Sequence, residues 1–301
     1  MKTLILGAGG IGGYFGARLI QAGADVTFLV RAARQQLIER AGLQIETPDG
    51  NFSVQPRTVT AATVQSDYDL IVLAPKAYDL DDALASLARA DARGAILPFL
   101  NGLDHLRVLD ARYGRARVLG GVAHIAATIT PTGAVKQLSP LHRLTAGARD
   151  AAHEALARDF ITLCKQAAFD SAYSAQIEQV LWNKWVFLAT LAGMTTVCQG
   201  SVGEILATPE GEALTRQMFA ECCAVAAAQG QAINAEEQGK ALAMLTQKGS
   251  AFTASMLRDL QGGQRTEHEH ILGDMVRRGR AAGVNVDLLR LAWTHMAVRA
   301  A

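Results

Sequence analysis

Gly7-Ala8-Gly9-Gly10-Ile11-Gly12 is a G-x-G-x-x-G stretch set directly behind a short apolar run, Thr3–Leu6, and ahead of a helical pattern over residues 11–22. A strand that turns through glycines into a helix opens a βα unit, and its helix N-terminus offers free amides and a positive dipole to a pyrophosphate. Gly7 permits the tight turn, Gly9 lets the backbone approach the phosphates, and Gly12 lets the helix lie close on its strand. Gly10 and Ile11 complete the expected cradle. The competing reading, a glycine-rich turn with no ligand, is disfavoured by the strand, the spacing and the helix together. Gly23 then closes the helix in the C′ position.

The same rhythm continues. Residues 25–30, 69–74 and 95–100 read as further strands of a parallel sheet with helices between them. Pro48-Asp49-Gly50, flanked by alternating residues over 43–57, predicts a hairpin inserted at the sheet edge. Residues 117–145 are strand-rich, with a turn at Pro131-Thr132-Gly133, and are expected to complete that sheet with antiparallel strands. Residues 151–167 read as an amphipathic helix. Beyond about Ser174 only helical patterns follow, over 176–198, 210–229, 235–247, 251–261 and 266–281. The expected fold class is therefore α/β: a Rossmann-type doubly wound sheet over 1–174 and an all-helical domain over 175–301. A length of 301 residues suits two domains.

The end of the second strand bears on cofactor choice. A site for NAD places an acidic residue there, whereas Phe28-Leu29-Val30 runs into Arg31, with Arg34 one turn on. A guanidinium offers fork donors to a 2′-phosphate, so NADPH/NADP is expected over NAD. Lys76, just past the strand at 69–74, lies at the same carboxyl edge and adds to the phosphate field.

Charge excludes some classes. Twenty-nine basic against 28 acidic residues leave a net +1, with no global reason for a nucleic-acid or membrane-surface partner. Cys164, Cys198, Cys222 and Cys223 form no C-x-x-C pair, so neither a disulfide framework nor a zinc site is expected, and the chain reads as a reduced, cytoplasmic protein. The N-terminus runs straight into glycines without a signal-like region, and the apolar run from Trp185 to Cys198 is shorter than a bilayer span. His268 and His270, two apart on a helix, point to different faces, and no metal site is expected. Arg277, Arg278 and Arg280 read as a solvated helix end, and Cys222, Cys223, Trp293 and Met296 as helical core.

Two charges stand out in the helical half. Lys184 is a lone cation within Trp182 to Gly193, where an ammonium is costly unless used or paired. Thr266-Glu267-His268-Glu269 fits a T-x-x-E capping box, which places Glu267 in a first helical turn where the dipole favours its ionised form.

With Lys76-Ala77-Tyr78, Asn101-Gly102, Leu181-Trp182-Asn183-Lys184, and Ser255-Met256-Leu257-Arg258-Asp259 through Thr266-Glu267 added to the glycine turn, the chain resembles the ketopantoate reductase (2-dehydropantoate 2-reductase) family. The likeness runs over essentially its full length. It implies an NADPH-dependent reductase of a branched 2-oxo acid, taking ketopantoate to pantoate in pantothenate biosynthesis. It also implies Lys184 as general acid, Glu267 as anchor of the substrate hydroxyl, Asn101 beside nicotinamide and substrate, and Ser255 near the substrate carboxylate. Arg31 and Lys76 fall on positions that hold the adenosine phosphate and the cofactor. The nicotinamide is expected in the cleft between domains, near the carboxyl ends of the strands.

The chemistry agrees, because hydride arriving at a ketone carbon leaves an alkoxide that needs a proton or a fixed positive charge at once. One departure matters. The family carries asparagines four and eight residues after the lysine, where this chain has Leu188 and Ala192; Thr195 returns roughly to that face as a replacement substrate contact. A bulkier or more apolar substrate is one expectation from that change. A β-hydroxyacid dehydrogenase-like oxidoreductase is a second reading, against which Leu188 speaks, since those enzymes pair the lysine with an amide one turn on. A non-catalytic NADPH-sensing protein is a third, and it would need neither Lys184 nor Glu267. A homodimer is compatible with the sequence.

Overall fold

The glycine-rich turn joins β1 (Thr3–Leu6) to α1 (Gly10–Gln21) in the computed structural model, which describes residues 1–90 and 93–300. Internal contacts divide the chain into one unit of Met1–Leu100 with His105–Glu178, and another of Asn101–Asp104 with the residues from Gln179 on. This differs from a division after residue 174 in two details: residues 175–178 go with the first unit, and Asn101–Asp104 go with the helical one.

In chain order there follow β2 (Val26–Leu29), α2 (Ala32–Ala41), β3 (Leu43–Glu46), β4 (Phe52–Val54), β5 (Arg57–Val59), β6 (Leu70–Leu73), α3 (Leu80–Ser86) and β7 (Ala95–Pro98). After them come α4 (Asp104–Tyr113), β8 (Gly120–Ile129), β9 (Val135–Gly147), α5 (Glu154–Cys164) and β10 (Asp170–Tyr173). A five-stranded parallel sheet has the order β5-β2-β1-β6-β7. Four of its strands, β1, β2, β6 and β7, are buried along their whole length, the pattern of parallel strands covered on both faces. The register Leu6↔Leu29 and Leu6↔Leu73 brings the carboxyl ends of β1, β2 and β6 level, so Gly7, Arg31 and Lys76 all follow one edge.

Two expectations are corrected here. The hairpin over 43–57 forms between β3 and β4, yet it does not join the parallel sheet; β3 pairs with β9 in a second sheet of order β10-β9-β3-β4. Residues 117–145 build that second sheet too, as β8 against β9, instead of completing the first. The reason lies in α1, which has apolar residues all round and needs cover on two sides. A Cβ on Gly12 would fall 2.3 Å from the Gly7 carbonyl oxygen, so α1 lies close on its own strand. On the opposite side a Cβ on Gly13 would come 2.8 Å from Val135 Cγ2, so β9 closes over the helix as the second layer.

The second unit holds α6 (Ile177–Cys198) from Gln179 on, α7 (Val202–Leu206), α8 (Gly211–Ala228), α9 (Ala235–Leu245), α10 (Ser255–Gln261), α11 (Asp274–Ala281) and α12 (Asp287–Ala300). Among the described residues no strand follows β10, and no helix is long and apolar enough to cross a membrane. The helix expected from 251 starts only at Ser255, because the preceding extended backbone is used to cap α7: Val202 and Gly203 amides donate to the Phe252 and Ser250 carbonyls at 3.0 and 2.8 Å.

The capping box does not form. Thr266 Oγ1 pairs with His268 Nδ1 at 2.8 Å, and the Glu269 carboxylate accepts from Trp293 Nε1 at 2.7 Å and from an Arg277 guanidinium nitrogen at 3.1 Å. Glu267 flanks the helix instead of lying in its first turn: its carbonyl accepts from the His270 and Ile271 amides, the helical path begins at His268, and it continues through a π-turn, Glu269–Gly273, into α11. Arg278 is likewise no solvated helix end: it pairs with Asp274 at 3.0 Å and lies over the Trp182 and Trp185 rings.

Candidate active site

Three side chains from distant segments meet in the helical unit. Lys184 lies on α6 beside buried Trp182 and Trp185, Asn101 follows Phe99-Leu100 past the end of β7, and Glu267 stands two residues before the π-turn. Lys184 Nζ donates to Asn101 Oδ1 at 3.2 Å, and Asn101 Nδ2 donates to Glu267 Oε2 at 3.2 Å. An amide has one accepting and one donating end, so with an ammonium on one side and a carboxylate on the other its orientation is determined. Glu267 is 4% exposed.

Burial pulls the Lys184 ammonium down to about 8, against the opposing pull of Glu267. Between about pH 8 and the ordinary lysine value of 10.5, the unfolded chain therefore holds more protons at this site than the native state. Stability from this group rises with pH across that window and is lowest below it, where the buried ammonium is fully charged. An amine that titrates near neutrality can give up its proton during a reaction.

Backbone geometry holds the three together. Gly102 has φ +73°, and a Cβ there would stand 2.5 Å from the His270 carbonyl oxygen, so the Asn101-Gly102 turn lies directly against the π-turn that follows Glu267. Trp185 Nε1 donates to the Ile271 carbonyl at 3.0 Å, tying the neighbour of Lys184 to that same turn. Irregular π-turns of this kind redirect carbonyls out of the regular helical ladder. Asn-Gly after a strand was the available sequence signal for the turn; its partner at His270 had none.

The other residues singled out on this side fall less centrally. Leu188, one turn beyond Lys184, is half-buried and Ala192 is buried. Thr195 does not replace the missing amides: it is 0% exposed and its hydroxyl donates to the Leu191 carbonyl at 2.7 Å, so packing has consumed it within the helix. Ser255 is half-buried at the first residue of α10. Three residues earlier Phe252, exposed, stacks on Phe187 with ring centroids 6.2 Å apart.

In the first unit, Gly7 takes φ +95° and its amide donates to the Leu29 carbonyl at 3.0 Å. Gly9 caps α1, and nothing lies within 4 Å of where its Cβ would stand, which leaves open space at the N-terminus of a 12-residue helix. Gly10 and Ile11 are that helix's first residues. Open backbone at the head of a helix is what a pyrophosphate requires, so the residues present fit a dinucleotide. Arg31 is exposed at the cap of α2, and Lys76 is half-buried past β6. Arg34 is a correction. Its guanidinium donates to the Gly133 carbonyl at 2.5 Å and to the Ala8 carbonyl at 2.9 Å, so it clamps the glycine turn from behind instead of offering its fork to a phosphate.

Residues 3–151 match the family model described as ketopantoate reductase PanE/ApbA, and residues 176–300 match the model of its C-terminal part. The uncharacterized oxidoreductase YkpB of Bacillus subtilis (strain 168) is 31% identical over 297 residues, 98% of either chain. The 2-dehydropantoate 2-reductase of Archaeoglobus fulgidus is 28% identical over 284 residues, 94% of this chain and 92% of the relative. Among solved structures, D-mandelate dehydrogenase in a ternary structure with NADH and anilino(oxo)acetate aligns with a TM-score of 0.88 at 22% identity, over 100% of this chain and 98% of that one, a likeness of fold.

Proposed function

The chain belongs to the ketopantoate reductase PanE/ApbA family, and from that premise we propose that it is an NADPH-dependent reductase of a branched 2-oxo acid, with ketopantoate to pantoate as the reference reaction. The observation that carries the reading is the Lys184–Asn101–Glu267 chain, in which one neutral amide holds a partly desolvated ammonium against a buried carboxylate.

A reduced nicotinamide, when bound, supplies hydride to the ketone carbon. Lys184 gives its proton to the ketone oxygen as negative charge develops there, and Asn101 keeps Nζ aimed while the proton leaves. Glu267 accepts a hydrogen bond from the substrate hydroxyl, and the Ser255 hydroxyl donates to the substrate carboxylate. Gly7, Gly9, Gly10, Ile11 and Gly12 hold the pyrophosphate, while Arg31 and Lys76 carry the 2′-phosphate.

Only the protonated lysine can act as acid, so the rate of reduction is expected to fall about tenfold per pH unit above about pH 8. Initial rates with a ketone substrate from pH 6.5 to 10 test this; a flat profile across pH 8 removes Lys184 as donor. Cofactor choice is tested with NADPH and NADH in parallel. NADPH is expected to give at least about tenfold higher kcat/KM, and Arg31→Ala to narrow that ratio by about tenfold. A wild-type preference for NADH would overturn the role of Arg31.

A second reading of the substrate rests on Leu188, which is half-buried, whereas Ala192 is packed away at 0% exposure. Leu188 offers no hydrogen bond, and the Phe187–Phe252 stack stands beside it in sequence and on the Ser255 segment. These residues favour a 2-oxo acid with an apolar side chain over one bearing a hydroxyl. A rate panel that includes ketopantoate and an aromatic 2-oxo acid separates the two by their kcat/KM.

A further inference from the structure

The side-chain carbonyl of Gln137 has no counterpart in the roles above. Gln137 lies on β9, is 3% exposed, and donates through Nε2 to the Ser139 carbonyl at 2.6 Å, while its Oε1 makes no hydrogen bond. Because Ser139 presents an acceptor, the amide orientation is determined and the group left over is also an acceptor. A buried acceptor without a donor is costly to keep, and such groups call for a missing partner.

Register shows where it faces. Gln137 is directly opposite Ala127 on β8, and opposed residues project on one face of a sheet. A Cβ on Gly10 would lie 3.4 Å from the Ala127 methyl and 3.0 Å from its carbonyl oxygen, while Val135, two residues before Gln137, meets Gly13. This face of the β8–β9 ribbon therefore runs along the first turn of α1, and Gln137, buried, lies beyond Val135 in the direction of that helix's N-terminus. Arg34 supports the placement independently, since its guanidinium joins Gly133, in the turn between β8 and β9, to Ala8 of the glycine turn.

We propose that Gln137 is a dinucleotide-binding residue whose Oε1 accepts a hydrogen bond from a ribose hydroxyl of the cofactor. Phosphate oxygens at the cradle bring no proton, whereas either ribose does. The assignment rests on the reading of the glycine turn as a dinucleotide site.

The test is titration of wild type and Gln137→Met with NADPH, with NADH, and with adenosine 2′,5′-bisphosphate, which carries only the adenosine-side ribose, together with melting of the free proteins. Gln137→Met is expected to bind the full dinucleotide about tenfold more weakly, without a lower melting temperature in the free protein. Unchanged affinity for the bisphosphate then assigns the nicotinamide-side ribose, and a matching loss assigns the adenosine-side one. A dinucleotide Kd within about twofold of wild type overturns the proposal, whatever the melting result. Gln137→Leu, which also lacks the acceptor, is read the same way if the Met variant is not recovered folded. A wild type that binds neither NADPH nor NADH defeats the dinucleotide reading itself, and this assignment with it.

Discussion

Lys184→Ala is expected to lower turnover by about 100-fold or more while leaving the Kd for NADPH within about twofold of wild type. The substitution removes the one proton donor in the Lys184–Asn101–Glu267 chain and touches none of the glycines that make the cradle. Its effect on the ground state is mixed: the desolvated ammonium goes, but the carboxylate of Glu267, 4% exposed, loses its opposing charge. Lys184→Arg separates two roles. A guanidinium keeps a fixed positive charge for the developing alkoxide but does not give up a proton at any working pH, so it should remain slow if proton transfer is the contribution that matters. Steady-state rates and a fluorescence titration of cofactor read both effects, and the wild-type decline in rate above about pH 8 should vanish in either variant. Turnover close to wild type in Lys184→Ala would end the general-acid assignment.

Gly102→Ala should be nearly as damaging, for a backbone reason. At φ +73° an L side chain costs about 1 kcal/mol, and here the added Cβ also meets the His270 carbonyl oxygen at 2.5 Å. Main chain stands on both sides of that contact, so relief requires either the Asn101 turn or the π-turn behind Glu267 to move. Either shift breaks the 3.2 Å spacing on which the amide bridge depends. The expected result is a fall of several degrees in melting temperature and about tenfold or more in kcat. A variant that melts and turns over like wild type would show that the close approach does not position Asn101.

The opening βα unit was legible because its determinants are local: a four-residue apolar strand, glycines at the turn and a helix period lie within some 20 residues. The parallel strands and the change to helices after residue 174 were legible on the same ground. Lys184 and Glu267 stood out as charges, but their roles came from a family resemblance, not from any spacing between positions 83 residues apart.

What the chain could not show by itself was pairing over distance. The hairpin over 43–57 was readable as a hairpin, but its choice of β9 over the parallel sheet depends on α1 needing cover on a second side. Thr195 and Arg34 have suitable chemistry, yet packing turned one hydroxyl onto its own helix and one guanidinium onto backbone carbonyls. Backbone preference is set by a few neighbouring residues, whereas the partner a polar group finds is set by which surfaces are buried together. Sequence alone therefore determined the kinds of elements and their order; tertiary structure decided that Asn101, Lys184 and Glu267 share one hydrogen-bonded chain.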